Sequence, residues 1–96
     1  RMINVSGLKV WPAEVEAILH SHPAILEACV VGDSDPRTGE RVRAVVVLND
    51  KEKKLSKDSF IEWCGENMAH YKVPKSLEIR TNLPRGSAGK VLWKDL

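Results

Sequence analysis

The spacing of hydrophobic residues changes several times along this 96-residue chain, and each change marks a predicted element. The first residues alternate between apolar and polar on both sides of Gly7, with Ile3 and Val5 before it and Leu8 and Val10 after it. Alternation of period two is typical of a half-buried strand, and glycine tolerates the backbone angles of a tight turn. The pattern predicts a short β-hairpin at the start of the chain.

Two stretches with helical spacing lie further along. Pro12 suits the first turn of a helix, which His22 and Pro23 should end. Ser56 is a good N-cap for a second helix, and Pro74 prevents its continuation. The buried faces are predicted to consist of Val15, Ile18 and Leu19 in the first helix and of Phe60, Ile61, Cys64 and Met68 in the second.

Apolar runs of strand length lie between and after the helices. Residues 25–31 and 42–48 predict two buried strands joined by a turn-rich connection over 32–39, and residues 77–79 mark a third strand. A polar loop is expected over 49–54. The predicted architecture is α+β, with a small, mostly antiparallel sheet of about three strands, two helices covering one face, and the short hairpin in front.

Composition places the chain among ordinary globular proteins. It is 43% hydrophobic and 29% charged, and its length fits one domain over residues 1–96. No apolar run reaches the roughly 18 residues that a membrane span needs. No secretory leader is visible, and the start at Arg1 suggests a piece of a longer protein. We expect Cys29 and Cys64 to be buried free thiols in a cytoplasmic protein, and the histidines show no metal-ligand spacing.

Positive charge is concentrated near the end of the chain. The net charge of +2 is too small to suggest nucleic-acid binding. From Tyr71 onward six basic residues stand against Glu78 and Asp95, whereas the rest of the chain is slightly acidic. This quarter is either a solvated basic face or the place where an anion binds.

Lys90 is the strongest candidate for an anion contact. It ends the segment LPRGSAGK, residues 83–90, whose glycines and small residues predict a flexible, exposed loop with one ammonium group at its tip. The segment is not a phosphate-binding P-loop, because Pro84 and Val91 occupy positions where that motif needs glycine and a hydroxyl residue. Lys90 is therefore either a surface charge or a group presented to a phosphate or carboxylate.

Four short segments, taken together, resemble a known family. Residues 3–16 read INVSGLKVWPAEVE and residues 83–91 read LPRGSAGKV, with VVGD at 30–33 and HYKVP at 70–74 between them. In this order and spacing they resemble the C-terminal domain of the adenylate-forming enzymes, which include acyl-CoA synthetases, the adenylation domains of peptide synthetases and firefly luciferase. The resemblance covers essentially the whole chain.

The resemblance implies a reaction in two steps. Such enzymes activate a carboxylic acid with ATP and Mg²⁺, giving an acyl-adenylate and pyrophosphate, and then pass the acyl group to the thiol of coenzyme A or of a carrier-bound pantetheine. A large N-terminal domain would hold the acid pocket and most ATP contacts, and the small domain would rotate between the steps. The 96 residues alone are expected to be inactive and to bind none of these substrates.

The resemblance also implies roles for particular residues. Lys90 matches the family's lysine that reaches the carboxylate and the α-phosphate during adenylation, where an ammonium group offsets the repulsion between two anions. Gly7 matches a glycine whose backbone lines the pantetheine channel. Contacts with the nucleotide or its phosphates are implied for Lys9 and Arg85. The channel is implied to be lined by Ser6, Gly7 and Leu8.

Details within these motifs favour a CoA ligase that acts on a fatty or related apolar acid. The sequence Trp-Pro-Ala-Glu that begins at Trp11, and the Pro-Arg pair before the final loop, look like those of CoA ligases. Gly86 replaces the threonine that is common in the family's loop and should loosen it. Trp93 and Asp95 stand where a basic stretch is usual, so this tail is not expected to contact nucleotide.

A second class of function fits the order of the elements. With the opening strand counted once, the order is βαββαβ, which also occurs in ferredoxin-like small-molecule sensors and RNA-binding modules. RNA-binding members use aromatic residues on central strands for base stacking, and residues 24–31 and 42–48 contain none. The alternative is therefore a standalone regulatory module that binds a small molecule, and it would not require Lys90.

Overall fold

The computed structural model describes residues 1–49 and 54–96, so the polar loop predicted over 49–54 lies mostly outside the described residues. Seven helices and strands are described, together with short 3₁₀ turns at His70–Lys72 and Trp93–Asp95. In chain order the elements are β1 (Ile3–Val5), β2 (Leu8–Val10), α1 (Pro12–Leu19), β3 (Ile25–Asp35), β4 (Gly39–Leu48), α2 (Lys57–Asn67) and β5 (Ser76–Arg80). The predicted α+β class is confirmed.

All five strands belong to one sheet, in the order β2-β1-β4-β3 with β5 also beside β4. β3 and β4 are antiparallel from the pair Ile25 and Leu48 to the pair Asp35 and Gly39. β1 joins the sheet through Val5, opposite Gly39, and β5 runs parallel to β4. The sheet has five strands rather than about three because the opening hairpin is part of it.

β3 and β4 extend further than predicted. The composition of residues 32–39 predicts a connection, but only residues 36–38 form a turn, and Gly39 already belongs to β4. The Asp35 carboxylate closes this turn by accepting hydrogen bonds from two of its backbone N–H groups, at 2.8 and 3.1 Å. Pairing with β4 overrules the local preference of these residues for turns.

Both helices begin where the sequence predicts. Pro12 is the first residue of α1, where its missing N–H leaves no hydrogen bond unmade. At the start of α2, the hydroxyl oxygen of Ser56 accepts a hydrogen bond from the N–H of Ser59 at 3.1 Å. α1 ends at Leu19, three residues before His22. Each helix is therefore specified by its own local signals.

The two acidic residues of α1 connect the helix to the rest of the domain. Glu14 forms an ion pair with Lys72, whose ammonium pKa is raised by this hydrogen bond. The carboxylate of Glu16 accepts a hydrogen bond from the N–H of Val30 at 2.8 Å and pairs with Arg1 at 2.7 Å. A guanidinium nitrogen of Arg1 also donates to the Val30 carbonyl at 2.6 Å. α1 is thus fastened to the outer edge of β3.

Both faces of the sheet are covered. The larger buried cluster lies between the sheet and the helices, and it includes Val15 and Leu19 of α1 and Phe60 and Cys64 of α2. The C-terminal segment packs over the opposite face, which the hydrophobic pattern did not predict. This smaller cluster consists of Cys29, Val31, Val45, Val47 and Leu83, with Val91 and Leu96 packed against it.

Cys29 and Cys64 are buried free thiols, as predicted. Burial raises the pKa of the Cys64 thiol to about 12, so this thiol stays protonated at neutral pH. Within residues 1–49 and 54–96, no group of His, Cys, Asp or Glu side chains is arranged to hold a metal ion. None of the helices described has the length and apolar character needed to cross a membrane.

Candidate functional site

The loop that carries Lys90 is a tight hairpin. Gly86 donates its N–H to the Lys90 carbonyl at 3.0 Å and accepts a hydrogen bond from the N–H of Gly89 at 3.0 Å, while Arg85 and Val91 form a bridge beside them. Gly89 has a φ of 81°, which glycine adopts without the steric cost that a side chain brings. The glycines shape a hydrogen-bonded turn, where the sequence predicted a flexible loop loosened by Gly86.

The hairpin is fixed to the sheet on both sides of its tip. Leu83, before the tip, is only 5% exposed and belongs to the smaller buried cluster, and Val91, after the tip, packs against the same cluster. The N–H of Leu92 donates to the carbonyl of Pro84 at 2.8 Å. The backbone around the tip is therefore held against β3 and β4.

The side chain of Lys90 is exposed at this tip. Its ammonium group makes no hydrogen bond or ion pair with any residue of the described ranges 1–49 and 54–96. A lysine ammonium is a compact charge on a long stem, and here it can approach an external anion without giving up an existing partner. The site predicted around Lys90 thus combines a fixed backbone with an available charge.

Arg85, the other predicted phosphate contact in this loop, is already engaged. One guanidinium nitrogen forms an ion pair with Glu27 of β3, and another donates a hydrogen bond to the Gly89 carbonyl at 2.8 Å. Both side chains are partly exposed. Contact with phosphate stays a prediction for Arg85, whose charge is matched by Glu27 in this structure.

The second candidate site is the turn of the opening hairpin. Ser6 and Gly7 have φ values of 51° and 82°, as in the type I′ turns that join neighbouring strands. The side-chain oxygen of Asn4 accepts a hydrogen bond from the N–H of Gly7 at 2.8 Å, and the N–H of Ser6 donates to the Thr38 carbonyl at 2.8 Å. Leu8 is 49% exposed, and a Cβ added at Gly7 would meet no described atom within 4 Å. The surface over this turn is open.

The two candidate sites lie towards opposite ends of β4. The N–H of Ser6 is hydrogen-bonded to Thr38, the residue just before the start of β4. Arg85 instead forms an ion pair with Glu27 of β3, which pairs with Val47 near the end of β4. The stretch from Gly39 to Val47 spans about 26 Å at roughly 3.3 Å per residue. Lys9 is exposed on β2 and belongs to the first of these surfaces. The predicted site residues therefore form two surfaces and not one pocket.

A cleft of about 380 Å³ adjoins the opening turn. Val5, which precedes the turn, and Thr38, which is bonded to it, both line the cleft, with Tyr71 and Val73 on its apolar side. Positive charge predominates in the lining, so the cleft suits phosphate groups. Its charged lining residues are Arg37, Arg41, Lys75 and Asp35.

Residues 14–90 match the family model described as AMP-binding enzyme C-terminal domain. This chain belongs to that family. Lys90 is the last residue of the matched region, and the opening turn with Gly7 lies just before its start. Membership in the AMP-binding enzyme C-terminal domain family leaves the predicted alternative, a standalone ferredoxin-like module, without support.

Individual relatives are similar to almost the whole of this chain. Crotonobetaine/carnitine–CoA ligase of Escherichia coli K12 is 44% identical over 95 residues, which cover 99% of this chain and 18% of the ligase. The o-succinylbenzoate CoA synthetase of Bacillus subtilis, solved in complex with its acyl-adenylate intermediate, has a TM-score of 0.88 at 36% identity, over 97% of this chain and 19% of that one. A fatty acyl CoA synthetase of Mycobacterium tuberculosis has a TM-score of 0.88 at 35% identity, and the match covers 98% of this chain and 18% of the synthetase. The chain spans about a fifth of the length of these relatives.

Sequence reasoning missed two features of this AMP-binding enzyme C-terminal domain. It did not identify Glu27 as the partner of Arg85, although Glu27 alternates with Cys29 and Val31 and so belongs to the same face of β3. It also missed the basic cleft, because Arg37 lies in a turn far along the chain from Lys75. Only the folded sheet brings these pairs together.

Proposed function

We propose that this chain is the mobile C-terminal domain of an ATP-dependent acid–CoA ligase, with its own N-terminal domain as partner. The carboxylic acid, ATP with Mg²⁺ and coenzyme A are the substrates of the full-length enzyme. The observation that carries this proposal is the exposed Lys90 ammonium on a backbone that is hydrogen-bonded on both sides of the residue. The acyl-adenylate in the Bacillus subtilis relative supports the same chemistry.

Lys90 acts in the first step. A carboxylate oxygen of the acid attacks the α-phosphorus of ATP, the bond to the β-phosphate oxygen breaks, and pyrophosphate leaves. Two anionic groups meet in this transition state, and an ammonium group placed between them lowers its energy. One such donor is worth about 3 kcal/mol, or roughly a hundredfold in rate.

The opening turn acts in the second step. The thiol of coenzyme A loses its proton to solvent and attacks the acyl carbonyl, and AMP leaves as the thioester forms. The backbone of Ser6, Gly7 and Leu8 lines the channel for pantetheine, where a side chain on Gly7 would take up space. The basic cleft beside this turn supports the assignment, since the nucleotide end of coenzyme A carries phosphate groups.

The separation of the two surfaces supports rotation between the steps. With about 26 Å of β4 between them, the surfaces cannot both face one reaction centre. A rigid-body movement of the domain would present Lys90 first and Gly7 afterwards. Movements of this kind sequester the reaction and complete the catalytic site in turn.

The acid is proposed to be a fatty or related apolar one, because the Val-Trp-Pro sequence that ends at Pro12 resembles that of the fatty-acyl members of the family. The Mycobacterium tuberculosis relative is named for fatty acyl groups, whereas the Escherichia coli and Bacillus subtilis relatives are named for other acids. Turnover of fatty acids, carnitine and o-succinylbenzoate by the full-length enzyme decides among these acids.

A cytoplasmic location belongs to the same proposal, since the two cysteines are unbridged.

The decisive experiment replaces Lys90 with alanine in the full-length protein. Acid-dependent ATP–pyrophosphate exchange reports the first step, and a synthetic acyl-adenylate supplied with coenzyme A reports the second. We expect exchange to fall by roughly a hundredfold, with thioester formation retained. Unchanged exchange would show that Lys90 is not the adenylation lysine and would remove the basis of the proposal.

A further inference from the structure

Arg85 connects β3 to the tip of the Lys90 hairpin. Its guanidinium group pairs with the Glu27 carboxylate on one side and donates to the Gly89 carbonyl, at 2.8 Å, on the other. A planar guanidinium presents several donors in a fixed arrangement, so it can hold two acceptors at a set angle. A lysine at this position would offer one point charge and could not reproduce that bridge.

The contact with Gly89 fixes the backbone at Lys90 itself. The Gly89 carbonyl belongs to the peptide group that directly precedes Lys90, and the Lys90 carbonyl belongs to the one that follows. The first accepts a hydrogen bond from Arg85 and the second from the N–H of Gly86 at 3.0 Å. With both flanking peptide groups held, the direction in which the Lys90 side chain leaves the backbone is set.

Glu27 is placed for this role by an irregularity in β3. Ile25 pairs with Leu48 while Glu27 pairs with Val47, so Leu26 has no partner across the sheet and is 58% exposed. A bulge of this kind bends a strand and re-aims the side chains next to it. Glu27 consequently lies on the face of the sheet that the C-terminal segment covers.

We propose that Arg85 is a positioning residue for Lys90, held by Glu27 and acting through the Gly89 carbonyl. This role rests on the proposed function of Lys90, and it differs from the direct phosphate contact that the family resemblance implies for Arg85. The guanidinium group stabilises the productive placement of the ammonium group and does not itself touch ATP.

Removal of the Glu27 carboxylate distinguishes the two roles of Arg85, because each role predicts a different change in the rate of adenylation. If Arg85 positions Lys90, Glu27→Ala releases the bridge and slows adenylation. If Arg85 instead contacts phosphate, Glu27→Ala frees the guanidinium group, so adenylation stays the same or becomes faster. The KM for ATP also distinguishes the two roles of Arg85. Loss of a phosphate contact raises the KM for ATP, whereas misplacement of Lys90 lowers only kcat.

The experiment uses the full-length protein with Glu27→Ala, Arg85→Ala, the double variant and Lys90→Ala. Glu27→Gln and Arg85→Lys are conservative versions in case an alanine variant folds poorly. The matched control is Arg80→Ala, because Arg80 forms a similarly exposed ion pair with Glu78 on the same face but makes no hydrogen bond or ion pair with the described residues of the hairpin. ATP–pyrophosphate exchange and thioester formation from a supplied acyl-adenylate are measured for each.

We expect Glu27→Ala and Arg85→Ala each to lower kcat for adenylation by about three- to tenfold, as suits a partly exposed ion pair. The double variant should be no slower than Arg85→Ala, KM for ATP should stay within about twofold, and thioester formation should be unchanged. Arg80→Ala should behave like the unmodified enzyme.

Several results would overturn this role for Arg85. Unchanged or faster exchange in Glu27→Ala, together with a raised KM for ATP in Arg85→Ala, would assign Arg85 to the phosphate. Equal losses in both half-reactions, or the same loss in Arg80→Ala, would indicate a general effect on stability. Full activity of Lys90→Ala would remove the proposed function and the positioning role together, whereas a loss confined to Lys90→Ala would remove the positioning role alone.

Discussion

An ammonium group can stabilise an anionic transition state only if it is unpaired beforehand and reaches the same place in every turnover. The first condition fits Lys90, whose exposed ammonium group has no hydrogen-bond or ion-pair partner among the described residues, and the second fits its hydrogen-bonded turn. The role proposed for Gly7 depends instead on the absence of a side chain, which leaves the surface over the turn open. Gly7 and Gly89 have φ values of 82° and 81°, and a Cβ on either would meet no described atom within 4 Å.

These two glycines form a matched pair for mutagenesis. Gly7→Ala and Gly89→Ala should each destabilise the domain by about 1 kcal/mol, because alanine is strained at positive φ. We expect Gly89→Ala to slow ATP–pyrophosphate exchange by roughly tenfold through displacement of Lys90, and Gly7→Ala to slow thioester formation instead. Both half-reactions are measured on the full-length protein. Loss of the same half-reaction in both variants would mean that backbone strain, and not the position of each turn, causes the effect.

Lys90 and Gly7 could be named as candidate site residues from the sequence because each lies within a short signature that is recognisable without the fold, and their roles stay predictions. Glu27 could not, because a single acidic residue in a strand usually indicates nothing more than a position facing solvent. Its importance depends on Arg85, which reaches it only after the C-terminal segment has returned across the sheet. Sequence reasoning therefore finds the residue that carries the charge more readily than the residues that hold it in place.

At the scale of elements, the helices were predicted more accurately than the strands. The starts of α1 and α2 depend on Pro12 and Ser56, whose effects are local. The length of β3 depends on its partner, and residues 32–35 adopt strand geometry only because β4 pairs with them. The cover over the second face was missed for the same reason, since Leu83 becomes buried, and Val91 packs against the buried cluster, only through tertiary packing.

The cap of α2 offers a direct test of its local origin. Ser56→Ala removes the acceptor for the Ser59 N–H and should cost about 1 kcal/mol of local stability, which corresponds to roughly fivefold faster amide exchange in the first turn of α2. Ser56→Asp keeps an acceptor at this position and should restore slow exchange. Hydrogen–deuterium exchange of the full-length protein measures both. Equal exchange in the alanine and aspartate variants would contradict the assigned cap.

The basic cleft forms only where several elements meet. The β3–β4 turn, β4 and the segment before β5 all contribute residues to its lining. We expect Arg37→Ala and Lys75→Ala each to raise KM for coenzyme A by about three- to tenfold, as loss of one partly screened phosphate contact predicts. ATP–pyrophosphate exchange should not change. Steady-state kinetics with pantetheine, which lacks the nucleotide, provide the control: an equal rise in KM for pantetheine would exclude a phosphate contact.

At the scale of the whole molecule, two carboxylates make the fold sensitive to acid. The hydrogen bond from Arg80 lowers the pKa of Glu78, with Arg43 contributing further, and backbone N–H groups of the β3–β4 turn lower the pKa of Asp35. The folded chain therefore binds fewer protons than the unfolded chain near the ordinary pKa values of these groups. The stabilisation they provide is present above about pH 4.5 and is lost as the pH falls below it.

Glu78→Gln should reduce this sensitivity to acid. Urea unfolding of the 96-residue chain, followed from about pH 6 to about pH 3, gives the free energy of unfolding at each pH. We expect a smaller decrease for Glu78→Gln than for the unmodified chain, because one titrating group with a lowered pKa has been removed. Identical pH profiles for Glu78→Gln and the unmodified chain would show that the Glu78 carboxyl has the same pKa in the folded and the unfolded state.

The fastening of α1 to β3 has a consequence for contacts between molecules. β3 has β4 as its strand neighbour on one side, and an uncovered outer strand can recruit a strand from another molecule. At Val30 both backbone groups are already occupied, the N–H by Glu16 and the carbonyl by Arg1. Strand pairing with another molecule at this position would first have to displace both of these side chains. The middle of this outer edge is thus protected from strand pairing by two side chains of the domain itself, Glu16 and Arg1.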